Sequence, residues 1–208
     1  MGKQLAFRVD LSGCIGCKAC QIACQDKHNL EAGRSWRRVA EVVGGGWVPS
    51  AGHWHSDVFA YYVSTACMHC EKPICCEACP TTAMAKRPDG IVLVDQQKCI
   101  GCRYCQWACP YGAPQFDDAK GKMTKCTFCE DLLAQKQSPA CVAACVMRVL
   151  EFGELDELRA RHGALSAVEP RPTADLTKPS VVLTPHRQAR LSGEGAGLDV
   201  TINQGGAQ

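Results

Sequence analysis

CIGCRYCQWACP, residues 99–110, puts three cysteines into seven positions, a fourth cysteine four residues later, and a proline directly behind it. A cubane iron-sulfur core offers four iron corners, and the spacing C-x-x-C-x-x-C lets one tight loop carry three thiolates to three of them. The fourth ligand must come from elsewhere. In the bacterial two-cluster pattern the cysteine before the proline serves the other cluster, so such motifs work in reciprocal pairs. The stretch therefore calls for partner motifs elsewhere in the sequence.

Three are present. CIGCKACQIAC at 14–24 shares eight of eleven letters with CIGCRYCQWAC at 99–109, an internal repeat of the whole loop. Group one is Cys14, Cys17, Cys20 and Cys24; group three is Cys99, Cys102, Cys105 and Cys109. Group two, Cys67, Cys70, Cys75 and Cys79, ends on Pro80 and leaves Cys76 over beside Cys75. Group four, Cys126, Cys129, Cys141 and Cys145, inserts eleven residues between its second and third members. Sixteen of the seventeen cysteines thus form four sets of four, which predicts four [4Fe-4S] clusters. Gly16 and Gly101 permit a backbone that brings amide N–H groups to a cluster, and Pro80 and Pro110 fix the backbone just after the exchanged ligand.

Two other uses of many cysteines compete. A disulfide scaffold is disfavoured by the odd total and by a start, MGKQLAFRVD, without the apolar core of an export signal. Four-cysteine zinc sites normally join two C-x-x-C pairs through a linker, which is not the spacing of groups one to three. Group four alone is compatible with zinc, but Cys24 would then have no cluster to join. Cys76 reads as a free buried thiol, with replacement of Cys75 as ligand the alternative. Four complete sets leave His28, His53, His55 and His69 no vacancy, so these read as surface or packing residues.

The formal charge of +2 counts every cysteine as neutral. A 2+ core held by four thiolates carries 2−, so four clusters bring the total to about −6. The scattered Lys and Arg then balance cofactor charge. With no basic block and no aromatic-basic interleaving, no nucleic-acid role is assigned. Apolar runs such as VFAYYV at 58–63 fall far short of the ~20 residues of a membrane span, so no direct span is expected.

The organisation predicts an α+β fold of two nested bacterial 2[4Fe-4S] ferredoxin-like units with short hairpins and helices. AFRVD (6–10) enters group one and VLEFG (149–153) leaves group four, as closing strands of an outer unit. VFAYYVS (58–64) enters group two and PQF (114–116) leaves group three, as the same device in an inner unit. Pro88-Asp89-Gly90 turns the chain into a short strand at 91–94, and GELDELRARHG (153–163) reads as a helix. The expected division is 1–30 with 118–165 as the outer unit, 31–57 as an insert, 58–117 as the inner unit, and 166–208 as an extended C-terminal arm.

Over most of its length the sequence resembles the four-cluster iron-sulfur subunits of molybdenum oxidoreductases, and most closely those of the dimethyl sulfoxide reductase type. The likeness rests on CIGCKAC, FAYYVSTACMHCEKPIC, PTTAMAKRPDGIVLVD, CIGCRYCQWACPYGAPQFD, MTKCTFC, FGELDELRARHG and TKPSVVL. It implies ligand exchange between groups one and four and between groups two and three. The implied sets are Cys14, Cys17, Cys20 with Cys145; Cys126, Cys129, Cys141 with Cys24; Cys67, Cys70, Cys75 with Cys109; and Cys99, Cys102, Cys105 with Cys79. Nitrate reductase subunits of this type have Trp at the second cysteine of group three, and formate dehydrogenase subunits carry a C-terminal membrane helix. Here the first position is Cys102 and the helix is lacking. Val146 stands where family members commonly have Pro.

The resemblance further implies a non-catalytic electron relay between a quinol-oxidising membrane anchor subunit and a molybdopterin-containing catalytic subunit. It implies a peripheral place at the membrane, held through a partner, in an anaerobic respiratory enzyme. The alternatives are the same relay run in reverse in a sulfur-compound dehydrogenase, a free polyferredoxin carrier, and a zinc-stapled interaction module. Arg103, Tyr104 and Trp107 flank group three and either shield its cluster or simply pack and balance charge. Trp36, Arg37 and Arg38 read equally as a partner contact or a solvated basic turn.

Overall fold

The computed structural model describes residues 3–193 and the backbone of Thr201–Asn203. Along the chain run β1 (Leu5–Asp10), α1 (Ala19–Lys27), β2 (Arg37–Gly44), β3 (Trp47–Ser50), β4 (His53–Ser56), β5 (Phe59–Ala66) and α2 (Ile74–Glu77). They are followed by β6 (Met84–Lys86), β7 (Val92–Val94), α3 (Tyr104–Ala108), β8 (Gln115–Asp117), β9 (Lys122–Thr124), α4 (Glu130–Ala134) and α5 (Ala140–Ala143). Last come β10 (Leu150–Glu154), α6 (Leu155–His162), β11 (Val181–Thr184) and β12 (Thr201–Asn203). The result is a mixed α/β fold of several small sheets joined by cysteine-bearing loops.

The first sheet has the order β10-β1-β11. β1 and β10 pair antiparallel, Leu5 opposite Glu154 and Val9 opposite Leu150, as the closing strands expected from AFRVD and VLEFG. Four consecutive residues of β1, from Ala6 to Val9, are buried, because both of its faces are covered. Ala6 packs with Leu155 and Leu158 of α6, while Phe7 and Val9 turn to the main core. The helix expected at 153–163 is α6: acids open it, bases close it, and Gly163 at φ 85 stops it.

β11 adds parallel to β1, Phe7 opposite Val181 and Val9 opposite Leu183. The first part of the segment read as a C-terminal arm is therefore core: Val168, Thr177, Ser180 and Val181–Leu183 are buried. Positions 194–200 and 204–208 of that arm lie outside the described residues.

The second sheet has the order β12-β2-β5, and β2 runs antiparallel to β5 over eight pairs, from Arg37 opposite Ala66 to Gly44 opposite Phe59. This corrects the expectation for the inner strands. VFAYYVS does not close against PQF: β5 takes its long partner from the segment read as an insert, and β8 pairs with β9 across a tight turn. β2 matches β5 in length, whereas β8 has only three residues to offer. The hairpin expected at Pro88–Gly90 is present as β6 with β7. α1 packs against α5, and α2 against α3, so the group-one helix meets the group-four helix and the group-two helix meets the group-three helix. Among the described residues no helix is long and apolar enough to cross a membrane.

Candidate metal centres

The repeat in sequence is a repeat in backbone. Gly16 sits at φ 70 and Gly101 at φ 72, followed by Lys18 at φ 60 and Arg103 at φ 64 as the residues before α1 and α3. A side chain at Gly16 would run into the ring of Tyr62, and one at Gly101 into the carbonyl oxygen of Gly121. The same left-handed residue recurs in the other two C-x-x-C loops, where it is not glycine: His69 at φ 44 and Phe128 at φ 60. Left-handed backbone is costly for an L-residue, and burial offsets the cost here. His69 and Phe128 are 1% and 0% exposed and meet edge to face at 5.3 Å. Sequence reading finds the two glycines and misses these two positions, because neither residue type signals a positive φ.

The loops bring the cysteines together in quartets. Cys14 has Cys20, Cys145 and Cys17 as neighbours, and these four thiols line one small cavity with Ile15, Val39, Ser64 and Met147. Cys79, Cys99, Cys102 and Cys105 line a second with Met84, Val94 and Met123. Cys70 has Cys67, Cys109 and Cys75 around it. Cys24 neighbours Cys141 and Cys129, and Cys126 neighbours Cys24 and Cys141. All sixteen positions singled out from the sequence fall in these four gatherings. Three pairs lie within electrostatic reach across the quartets: Cys20 with Cys141, Cys126 with Cys67, and Cys105 with Cys75.

All seventeen cysteines are free thiols. Burial pushes Cys24, Cys70 and Cys105 up to about 12 and raises Cys14, Cys20, Cys109, Cys126 and Cys129 as well. Ordinary exposed redox thiols are not made this way. Thiols held up by burial need a bound cation to become thiolates, since coordination removes the proton outright. Hydrogen bonds wait on several sulfurs: Ser64 Oγ lies 3.4 Å from Cys20 Sγ, and the backbone N–H groups of Met123 and Phe128 donate to Cys99 and Cys126, both at 3.4 Å. At Cys79 burial is outweighed by backbone donors, Met84 first, and its thiol lies low. Among the described residues no three His, Cys, Asp or Glu side chains converge on a point that would hold a single ion. The thiols of two quartets line small cavities, a spread that suits a polynuclear core better than a lone zinc with Zn–S bonds of about 2.3 Å.

Cys76 is half-buried and not fully enclosed as expected. A hydrogen bond with Cys76 pushes Cys75 up, and the same bond lowers Cys76. His53 and His55 lie exposed on the β3–β4 hairpin, and His69 is a packing residue whose Nδ1 accepts from the Val92 N–H at 3.0 Å. His28 lies tilted against Trp36, ring centroids 4.6 Å apart, and brings Nε2 to 3.4 Å from Cys129 Sγ. Arg103 lies over the Phe116 ring at 3.8 Å, while Trp107 is 72% exposed and so does little to shield group three.

Of the two readings of 36–38, a partner contact or a solvated basic turn, the second does not hold. Trp36 Nε1 donates to Thr124, Arg38 donates to the carbonyls of Tyr111 and Gly112, and Arg37 is buried. Lys125 is buried too, its Nζ donating to the carbonyls of Val92 and Cys126. Lys125 did not stand out in the sequence, and Arg37 did so only as part of the run at 36–38. The one signal available for Arg37 is its phase: it alternates inward with Val39 on β2.

A family model described as a 4Fe-4S dicluster domain matches residues 58–155. The iron-sulfur subunit of anaerobic dimethyl sulfoxide reductase from Escherichia coli (strain K12) is 50% identical over 197 residues, covering 95% of this chain and 96% of that one. Its counterpart in the anaerobic dimethyl sulfoxide reductase of Haemophilus influenzae is 46% identical, covering 94% and 96%. A sulfite dehydrogenase subunit of Allochromatium vinosum is 38% identical over 172 residues, covering 74% and 70%.

Proposed function

The protein belongs to the family of iron-sulfur electron-transfer subunits that includes the one from anaerobic dimethyl sulfoxide reductase, and we propose on that premise that it is a relay holding four [4Fe-4S] clusters. The ligands are Cys14, Cys17, Cys20 and Cys145; Cys126, Cys129, Cys141 and Cys24; Cys67, Cys70, Cys75 and Cys109; and Cys99, Cys102, Cys105 and Cys79. The single observation that carries this reading is the gathering of these cysteines into four quartets, each built from two sequence groups. The packing of α1 on α5 and of α2 on α3 supports an outer unit of 1–30 with 118–165 and an inner unit of 58–117. The segment from 166 onward is anchored to the outer unit through β11.

When bound, [4Fe-4S] clusters supply one-electron redox chemistry. The protein's own part is to space the centres, exclude water from them and set the charge around them. The proximity of Cys20 to Cys141, of Cys126 to Cys67 and of Cys105 to Cys75 supports the order one, four, two, three for the centres. The polypeptide carries no substrate chemistry of its own. Its partners are a molybdopterin-containing catalytic subunit and a quinol-oxidising membrane anchor, through which it stays peripheral to the membrane.

Likeness to a sulfite dehydrogenase subunit supports a second reading, the same relay run in the oxidising direction. Iron and acid-labile sulfide analysis of anaerobically purified protein, with redox-titrated EPR, tests the relay. About sixteen of each per chain and reduced [4Fe-4S] signals in several steps are expected. Zinc without sulfide would overturn the reading.

A further inference from the structure

Arg37 opens β2 inside the protein and is 2% exposed. Its Nη1 donates to Ser64 Oγ at 3.0 Å, and that hydroxyl lies 3.4 Å from Cys20 Sγ. The guanidinium lies over the Phe7 ring, 4.8 Å from its centroid. Nε has no hydrogen-bond partner among the described residues, and no ion pair joins Arg37 to a described carboxylate. The ionisable groups within electrostatic reach of the cation are thiols: Cys141, Cys20, Cys126 and Cys24. A second cation, Arg171, lines a small cavity with Arg37 and Cys67.

Burying a cation without a counter-charge is strongly unfavourable, and bringing a second cation near makes it worse. Neutral thiols do not answer that charge. Anionic clusters on these cysteines do, and three of the four named thiols belong to the group-four centre while Cys20 belongs to the group-one centre. We propose that Arg37 is a potential-setting cation for these two outer centres, stabilising their reduced forms, with the stronger effect on the group-four centre. Guanidinium serves better than ammonium here because it keeps its charge in a buried site. Added negative charge on reduction is stabilised by a nearby fixed cation, so losing the cation lowers the midpoint.

The inference rests on the four-cluster reading. Failure of that reading appears as a deficit of iron and sulfide in the unaltered protein, whereas failure of this one appears with all clusters in place. The test is a redox-titrated EPR series on the purified complex with Arg37→Gln, the signals having been assigned through ligand-substituted variants. The equilibrium constant for reducing the group-four centre should fall tenfold or more, which is about 59 mV for a one-electron couple. The group-one midpoint should fall by less, group two by less again, and group three should stay put. Unmoved midpoints, or an equal shift in all four, would overturn the proposal. If Arg37→Gln loses iron, Arg37→Lys carries the test. Full iron content and near-native midpoints with lysine support a charge role, and loss of iron there as well assigns Arg37 to shape alone and overturns it.

Discussion

Replacing Phe128 separately by Ala and by Gly separates two opposing effects at one position. The ring is fully buried, stacked on Phe7 at 4.0 Å between centroids and edge-on to His69 and Phe152. Removing such a side chain costs about 3–5 kcal/mol. The backbone at φ 60 adds a second effect. Alanine keeps the left-handed penalty of about 1–2 kcal/mol, whereas glycine escapes it and gives back about 0.5–1 kcal/mol in chain entropy. Phe128→Gly should therefore be the more stable of the two by several tenths to about 1 kcal/mol, reversing the order seen in helices and strands. A chain of this size shifts its melting point by roughly 2–4 °C per kcal/mol. Phe128→Ala should melt about 6–20 °C below the parent and Phe128→Gly about 1–4 °C above Phe128→Ala. Thermal scans of holoprotein at one fixed rate, followed by loss of visible absorbance, read this directly. If the glycine variant melts below the alanine variant, the left-handed C-x-x-C loop does not carry the strain described.

Gly101→Ala places a methyl group against the Gly121 carbonyl oxygen at a positive φ, so it should remove one centre and lower iron and sulfide by about four each, with the group-three EPR signal lost. Retention of all the iron would refute the close approach. Stability should also fall in acid through Asp117, whose carboxyl is buried. Burial tends to raise this carboxyl, but hydrogen bonds from the Arg34 guanidinium and the Lys120 N–H outweigh it and hold it below the ordinary value of 3.8. A depressed carboxyl contributes fully above its unfolded value near 4 and loses its contribution as pH falls through the folded value. Asp117→Asn should therefore flatten the acid limb of the stability curve below about pH 4 while leaving its shape near neutrality unchanged, as measured by melting point against pH.

Much of the fold was legible because its signals are local. The alternation of AFRVD, the Leu155–Leu158 stripe with its terminal Gly163, and the Pro-Asp-Gly turn each act within a few residues, and each is found where expected. The inner strands were not legible. PQF and VFAYYVS follow the same sequence pattern as the outer pair, yet β5 prefers the eight-residue partner β2. TKPSVVL sits in a polar stretch, and nothing within that stretch reveals that β1 has a free edge waiting for it.

The candidate centres divide the same way. Cysteine spacing by itself determined four sets and the glycine turns of two of them, since a C-x-x-C loop closes over four residues and its geometry is set by those residues. Tertiary structure alone decided the rest. It set His69 and Phe128 in left-handed backbone because each ring finds a buried neighbour, joined the quartets in series, and turned Arg37 and Lys125 inward. A charge reads as solvated in any local window, and only contacts between distant elements, Arg37 with Ser64 and Lys125 with Val92, turn these cations inward.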